Sequence, residues 1–144
     1  MNIVVRMATM ADAAVLAGLY GALDYPSTVA EMQIRLGRVV TNENHGVLVA
    51  ADMAGAVVGC VHIGRLMSLD ADLSGQILGL VVAERVRRQG VGRALMAAAE
   101  VWARERKCTK VILRSSVRRT EAHAFYERIG YTNLKTQYAF RKDL

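Results

Sequence analysis

Four arginines, Arg85, Arg87, Arg88 and Arg93, stand close together in this 144-residue chain, and Gly90 and Gly92 are set among them. A guanidinium presents a planar fork of donors that matches phosphate oxygens, and a residue without a side chain lets a ligand approach the backbone. The segment just before, Gln76 to Val82, reads as a strand. Just after it, Val91, Ala94, Leu95, Ala98, Ala99 and Trp102 recur at helical spacing to about Arg106. A strand, a basic glycine-containing loop and a helix start together offer free backbone N–H groups to an anion. Four cations at that turn suit a pyrophosphate. The chain has no GxxxxGK[ST], and Gly90-Val91-Gly92-Arg93-Ala94-Leu95 lacks the third glycine of a dinucleotide fingerprint, so neither an NTPase loop nor a Rossmann site is indicated.

The elements that must position this loop follow from periodicity and turn residues. Ile3 to Met7 reads as a strand, and Thr9-Met10-Ala11-Asp12 places a hydroxyl and an acid at a helix start. A helix to about Leu23 follows, with Val15, Leu16, Leu19, Tyr20 and Leu23 expected inward. Pro26 interrupts the path, and Thr28-x-x-Glu31 caps a second helix reaching about Thr41, with Met32, Leu36 and Val39/Val40 inward. Residues 46–52 and 56–63 read as two strands of a hairpin turning at Met53-Ala54-Gly55. The apolar run Gln76–Val82 suits a strand covered on both faces, and Gly79 inside it marks a bulge or a close approach to a ligand. Lys110 to Arg114 returns as a strand, Glu121 to about Ile129 is a short helix, and Tyr131 to Lys142 holds one or two final strands. The order implies one domain over residues 1–144, of mixed α/β class, with a sheet flanked by helices.

Composition narrows the function classes. Residues 1–80 carry 4 Lys/Arg against 7 Asp/Glu, whereas residues 81–144 carry 15 against 6. A basic half can meet a nucleic acid, a membrane surface or a small polyanion. Interleaved aromatics and a helix-turn-helix pattern are missing, so nucleic acid is not expected. No apolar run approaches the roughly 20 residues of a membrane span, so no membrane partner is expected. The N-terminus lacks a secretory pattern, which makes the cytoplasm the expected location. Cys60 and Cys108 have no CxxC spacing and read as reduced thiols, with no metal site.

The stretch Val82-Ala83-Glu84-Arg85-Val86-Arg87-Arg88-Gln89-Gly90-Val91-Gly92-Arg93-Ala94-Leu95 resembles the R/Q-x-x-G-x-G/A segment of the GNAT N-acetyltransferases. Thr120-Glu121-Ala122-His123-Ala124-Phe125-Tyr126-Glu127-Arg128-Ile129-Gly130-Tyr131 is similar to that superfamily's second segment, and the order of elements fits nearly the whole chain. The resemblance implies a mixed, mostly antiparallel twisted sheet of six to seven strands flanked by about four helices, in which two parallel strands splay to form a cleft for acetyl-CoA. It implies that Leu80, Val81 and Val82 pair with the pantetheine arm and that Arg87, Arg88, Gln89, Gly90, Val91, Gly92 and Arg93 cradle the pyrophosphate. A bulge at Gly79 would help the strands part. A main-chain N–H near Val81 or Val82 would serve the developing oxyanion, and Tyr126 would be the general acid that protonates the departing thiolate. Tyr126 also lies on the stripe Ala122, Phe125, Tyr126, Ile129, which is the pattern of a core tyrosine.

The sequence departs from the pattern at two places. Gln76 stands near the position where the histone-acetylating branch carries a glutamate base, and an amide cannot take that proton. Asp24, Glu31, Asp70, Asp72, or His62 acting through water, are the replacements available, unless the amine arrives already neutral. Arg119 stands where many relatives carry an asparagine that binds the pantetheine arm; with Arg118 it would reach a cofactor phosphate or remain a solvated arginine. The activity implied is acetyl transfer from acetyl-CoA to a primary amine, of a small cationic molecule first and of a protein N-terminus or lysine second. A non-catalytic acyl-CoA sensor is the alternative. The apolar C-terminal strands offer a surface for pairing as a homodimer.

Overall fold

The runs on either side of Met53-Ala54-Gly55 set the register of the molecule. In the computed structural model, which describes residues 1–144, they form β2 (His45–Asp52) and β3 (Val57–Leu66), preceded in the sheet by β1 (Ile3–Met7) and followed by β4 (Ser74–Val82) and β5 (Lys110–Leu113). The Asp52 carboxylate closes the hairpin by accepting from the Ala54 and Ala56 N–H groups at 3.0 and 2.9 Å, and Gly55 supplies the left-handed residue. The five strands lie in chain order. The first three pairings are antiparallel and β4–β5 is parallel.

Contacts divide the chain into two compact units, Met1–Leu113 and Arg114–Leu144. The first holds the whole sheet with α1 (Ala13–Gly21), α2 (Val29–Val40) and α3 (Val91–Glu105), and the second holds α4 (Thr120–Arg128). On one face of the sheet Leu16, Ala17, Met32 and Leu36 pack with Val47, Val49, Cys60 and Val81. On the other, α3 buries Val91, Leu95, Met96, Ala99, Trp102 and Ala103. A Cβ at Gly46 would run into the Trp102 indole, so the bare backbone there is what lets α3 lie close to β2.

Both helix starts form as the sequence indicates, with one change of partner. Thr28 and Glu31 bond reciprocally, Glu31 N–H to Thr28 Oγ1 at 3.0 Å and Thr28 N–H to Glu31 Oε1 at 2.9 Å. At the first helix the acid, not the hydroxyl, makes the bond: the Thr9 N–H donates to Asp12 Oδ2 at 2.8 Å. Arg6 completes that site with two bonds to the same carboxylate, at 2.8 and 2.9 Å. A 3-10 turn, Met10–Asp12, precedes α1; Leu16, Leu19, Tyr20 and Leu23 lie on the core side as expected, joined by Ala13 and Ala17, and only Val15 faces solvent against expectation.

The sheet has five strands, not six or seven. Residues 132–144, expected to hold the remaining strands, have no regular structure, and each of them is exposed. Their alternating apolar residues have the right pattern, but a strand needs a partner for its backbone groups and a surface for one of its faces. Leu134, Tyr138 and Phe140, which lie in this segment, are at least 80% exposed. No helix is long and apolar enough to cross a membrane.

Candidate functional site

β4 carries the site's first feature. Its ladder with β3 pairs His62 with Gly79 but the next residue, Ile63, with Ile77, so Leu78 is an extra residue beside Gly79. That is the bulge expected there. A Cβ on Gly79 would collide with the Tyr20 hydroxyl of α1, which gives a second reason for glycine at this position. Burial holds the Tyr20 phenol well above its usual pKa, so it stays a neutral hydroxyl.

On its other edge β4 meets β5 only from Ser74↔Lys110 to Ile77↔Leu113, where β5 ends. From Leu78 to Val82 that edge of β4 has no strand beside it. Leu80, Val81 and Val82 therefore lie on a strand bonded to β3 on one side only, with Val81 buried and Leu80 and Val82 half-buried.

The chain leaves β4 through a 3-10 turn, Glu84–Val86, and enters the basic segment. Arg87, Arg88, Gln89, Gly90 and Arg93 are exposed, whereas the Val91 side chain is buried beneath them. Arg88 and Gly90 both adopt the left-handed conformation, with φ of 64° and 85°. An arginine there is strained, as residues at binding loops often are. Gly90 is the N-cap of the 15-residue α3, and no side chain bonds the helix start. The first N–H groups of α3 have no acceptor within the helix, and nothing would lie within 4 Å of a Cβ at Gly90. An open helix start, two left-handed residues and exposed guanidiniums fit an elongated anion such as a nucleotide pyrophosphate.

The candidate bases are placed unequally. Glu31 is committed to capping α2. Asp70 accepts from Ser68 Oγ at 2.7 Å in the exposed loop before β4, Asp72 is exposed in the same loop, and Asp24 is an exposed left-handed residue after α1. His62 differs from these. It is half-buried on β3, and its Nε2 lies 2.9 Å from Nδ1 of His45 on β2, the rings 5.1 Å apart. Burial, then the neighbouring His45, lowers the His62 pKa to about 4. His45 escaped the sequence reading, although the hairpin register pairs Val47 with His62 and so brings His45 diagonally beside it. Gln76 is half-buried and pairs with Gly64, two residues further along β3.

In the second unit Arg119 is the N-cap of α4 and is exposed, as is Arg118. His123 ties this helix to its lead-in loop, one ring nitrogen 2.8 Å from the Ser116 carbonyl. Tyr126 is half-buried, with Phe125 and Tyr131 edge-on at 5.2 and 6.1 Å. Burial raises its pKa and the Arg119 charge opposes the rise, so the phenol holds its proton at neutral pH. Cys60 is buried and its thiol is pushed up to about 12, and Cys108 is half-buried with its pKa also raised by burial. Neither is an activated nucleophile.

Residues 14–131 match the model of the acetyltransferase (GNAT) family. The chain is 28% identical to an aminoglycoside N(6')-acetyltransferase type 1 from Stenotrophomonas maltophilia, over 97% of this chain and 93% of that protein. It is 32% identical to the enzyme of the same name from Klebsiella aerogenes, over 68% of this chain and 66% of that one. Among solved structures, AAC(6')-Iy in complex with the bisubstrate analogue CoA-S-monomethyl-acetylneamine superposes over all of both chains with a TM-score of 0.88 at 16% identity, a likeness of fold. The chain belongs to the acetyltransferase (GNAT) family.

Proposed function

We propose that this member of the acetyltransferase (GNAT) family, acting as one domain over residues 1–144, transfers the acetyl group of acetyl-CoA to a primary amine of a small cationic molecule, by direct attack in a ternary complex. The observation that carries the reading is the free edge of β4 from Leu78 to Val82, which leads directly into the left-handed loop at Arg88 and Gly90. An extended amide-bearing arm fits the first and a pyrophosphate fits the second. When bound, acetyl-CoA supplies a thioester. Leu80, Val81 and Val82 hold the arm by backbone bonds, and Arg87, Arg88, Gln89, Gly90, Val91, Gly92 and Arg93 hold the phosphates, with Arg119 adding charge.

A β4 backbone N–H near Val81 stabilises the charge that develops on the carbonyl oxygen. Tyr126 gives its proton to the leaving sulfur, for which a phenol that stays protonated at neutral pH is suited. The excess of acidic residues before residue 81 favours a cationic acceptor, and two relatives are named for aminoglycosides. Titration with acetyl-CoA by calorimetry tests the site. Saturable binding is expected, weakened at least about tenfold in Arg88→Ala and in Gly90→Asp by lost charge-assisted bonds. Absence of binding by the unmodified protein would overturn the reading.

A further inference from the structure

An amine attacks only through its lone pair, so a cationic acceptor must first lose a proton. Gln76 cannot take it, and the carboxylates weighed above are capping a helix or lie in exposed loops. The α1/α2 face of the sheet holds another group. His62 lies opposite Gly79, the residue beside the bulge, where the Tyr20 hydroxyl takes the place of a side chain. The His45–His62 hydrogen bond occupies one nitrogen of each ring, which leaves His62 Nδ1 and His45 Nε2 as the two ends of a path across both.

We propose that His62 accepts the proton of the acceptor's ammonium group and passes it through His45 to solvent, with His45 acting as the positioning residue. This rests on the acetyltransferase reading. The path needs the tautomer in which His62 Nε2–H donates to His45 Nδ1. A proton then arrives at His62 Nδ1, the Nε2 proton crosses to His45 Nδ1, and the His45 Nε2 proton leaves to water. Both rings end neutral with their tautomers exchanged. Before the next turnover a solvent proton returns to His45 Nε2, the shared proton crosses back to His62 Nε2 and the His62 Nδ1 proton is released to water. Burial, which disfavours a standing imidazolium, therefore does not block the relay.

The freed lone pair forms the C–N bond, and the C–S bond breaks. The nitrogen's second proton is lost as the amide forms, and the sulfur gains one. One proton in total goes to solvent. The other titratable groups on this face are Tyr20 of α1 and Cys60 of β3, both held protonated by burial, and Asp12, a buried carboxylate near Cys60 that is held ionised by two bonds from Arg6. β4 contributes Gln76 and Leu78, and α2 contributes Met32, Leu36 and Val39, none of which titrates near neutrality.

The test is acetyl transfer to neamine, spermidine and a peptide N-terminus, followed from about pH 6 to about pH 9, with His62→Gln, His45→Gln and His62→Gly. Acetyl-CoA affinity is measured alongside by calorimetry. For the amine used, kcat/KM is expected to fall about 100-fold in His62→Gln and about tenfold in His45→Gln, at unchanged acetyl-CoA affinity. The rate of His62→Gln should then track the fraction of free amine, and added imidazole should restore part of the activity of His62→Gly. Unchanged rates would overturn the relay and leave the acetyltransferase reading in place, as would a loss with an unaltered pH profile and no rescue by imidazole. Transfer to none of the three amines by the unmodified protein would remove the reading and the relay together.

Discussion

At the scale of single residues, two ionisable side chains held in their neutral forms do different work. Tyr126 keeps its proton through burial, so Tyr126→Phe is expected to lower turnover by at least about 100-fold with little change in acetyl-CoA affinity, as loss of a general acid does. Turnover and calorimetry on the same preparation check this, and unchanged turnover removes the residue from the mechanism. His62 makes a prediction about stability. Its pKa is about 4 in the fold against 6.5 as a free side chain, so below about pH 6.5 the unfolded chain binds the extra proton more readily. The associated stability is complete above that pH and declines as the pH falls towards 4, by up to about 3 kcal/mol. Urea unfolding should show a shallower decline in His62→Gln than in the unmodified protein. Equal slopes would mean that His62 is not held neutral.

At the scale of elements, strands and helices with a clear period were legible and their partners were less so. The hairpin turn, both helix starts, the basic loop and the bulge beside Gly79 follow from local chemistry: an Asp that caps a turn, a Thr-x-x-Glu box, a glycine within an apolar strand. The inward face of α1 was legible at Leu16, Leu19, Tyr20 and Leu23, and only Val15, at the edge of that stripe, turns to solvent. The C-terminal strands expected over Tyr131 to Lys142 do not form, because apolar residues there do not by themselves supply an edge to pair with. His45 needed the hairpin register, which fixes neighbours 17 positions apart. The short parallel ladder also sets an order of protection. Val58, Cys60, Val61 and Ile63 of β3 are essentially fully buried between two neighbouring strands, whereas β5 is a four-residue edge strand with only half-buried or exposed side chains. Amide exchange should therefore be markedly faster for Lys110–Leu113 than for β3, and equal protection would show that the cleft's far wall is as firmly held as the core.

At the scale of the whole molecule, the uneven charge was legible from composition, and the family from two short segments. The proposal that the basic half holds a cofactor rather than a nucleic acid rests not on the charge itself but on the glycines and the strand that leads into them. The strand order has a consequence for how the protein is made. Because β1 through β5 lie side by side in the sequence in which they are encoded, each strand, on leaving the ribosome, finds its neighbour already synthesised, and no later segment must be threaded between earlier ones. The β2–β3–β4 meander can form while α3 is still being translated. The short β4–β5 ladder is the last to close, so a nascent chain can bury β2 and β3 before the outer edge of β4 gains its partner strand.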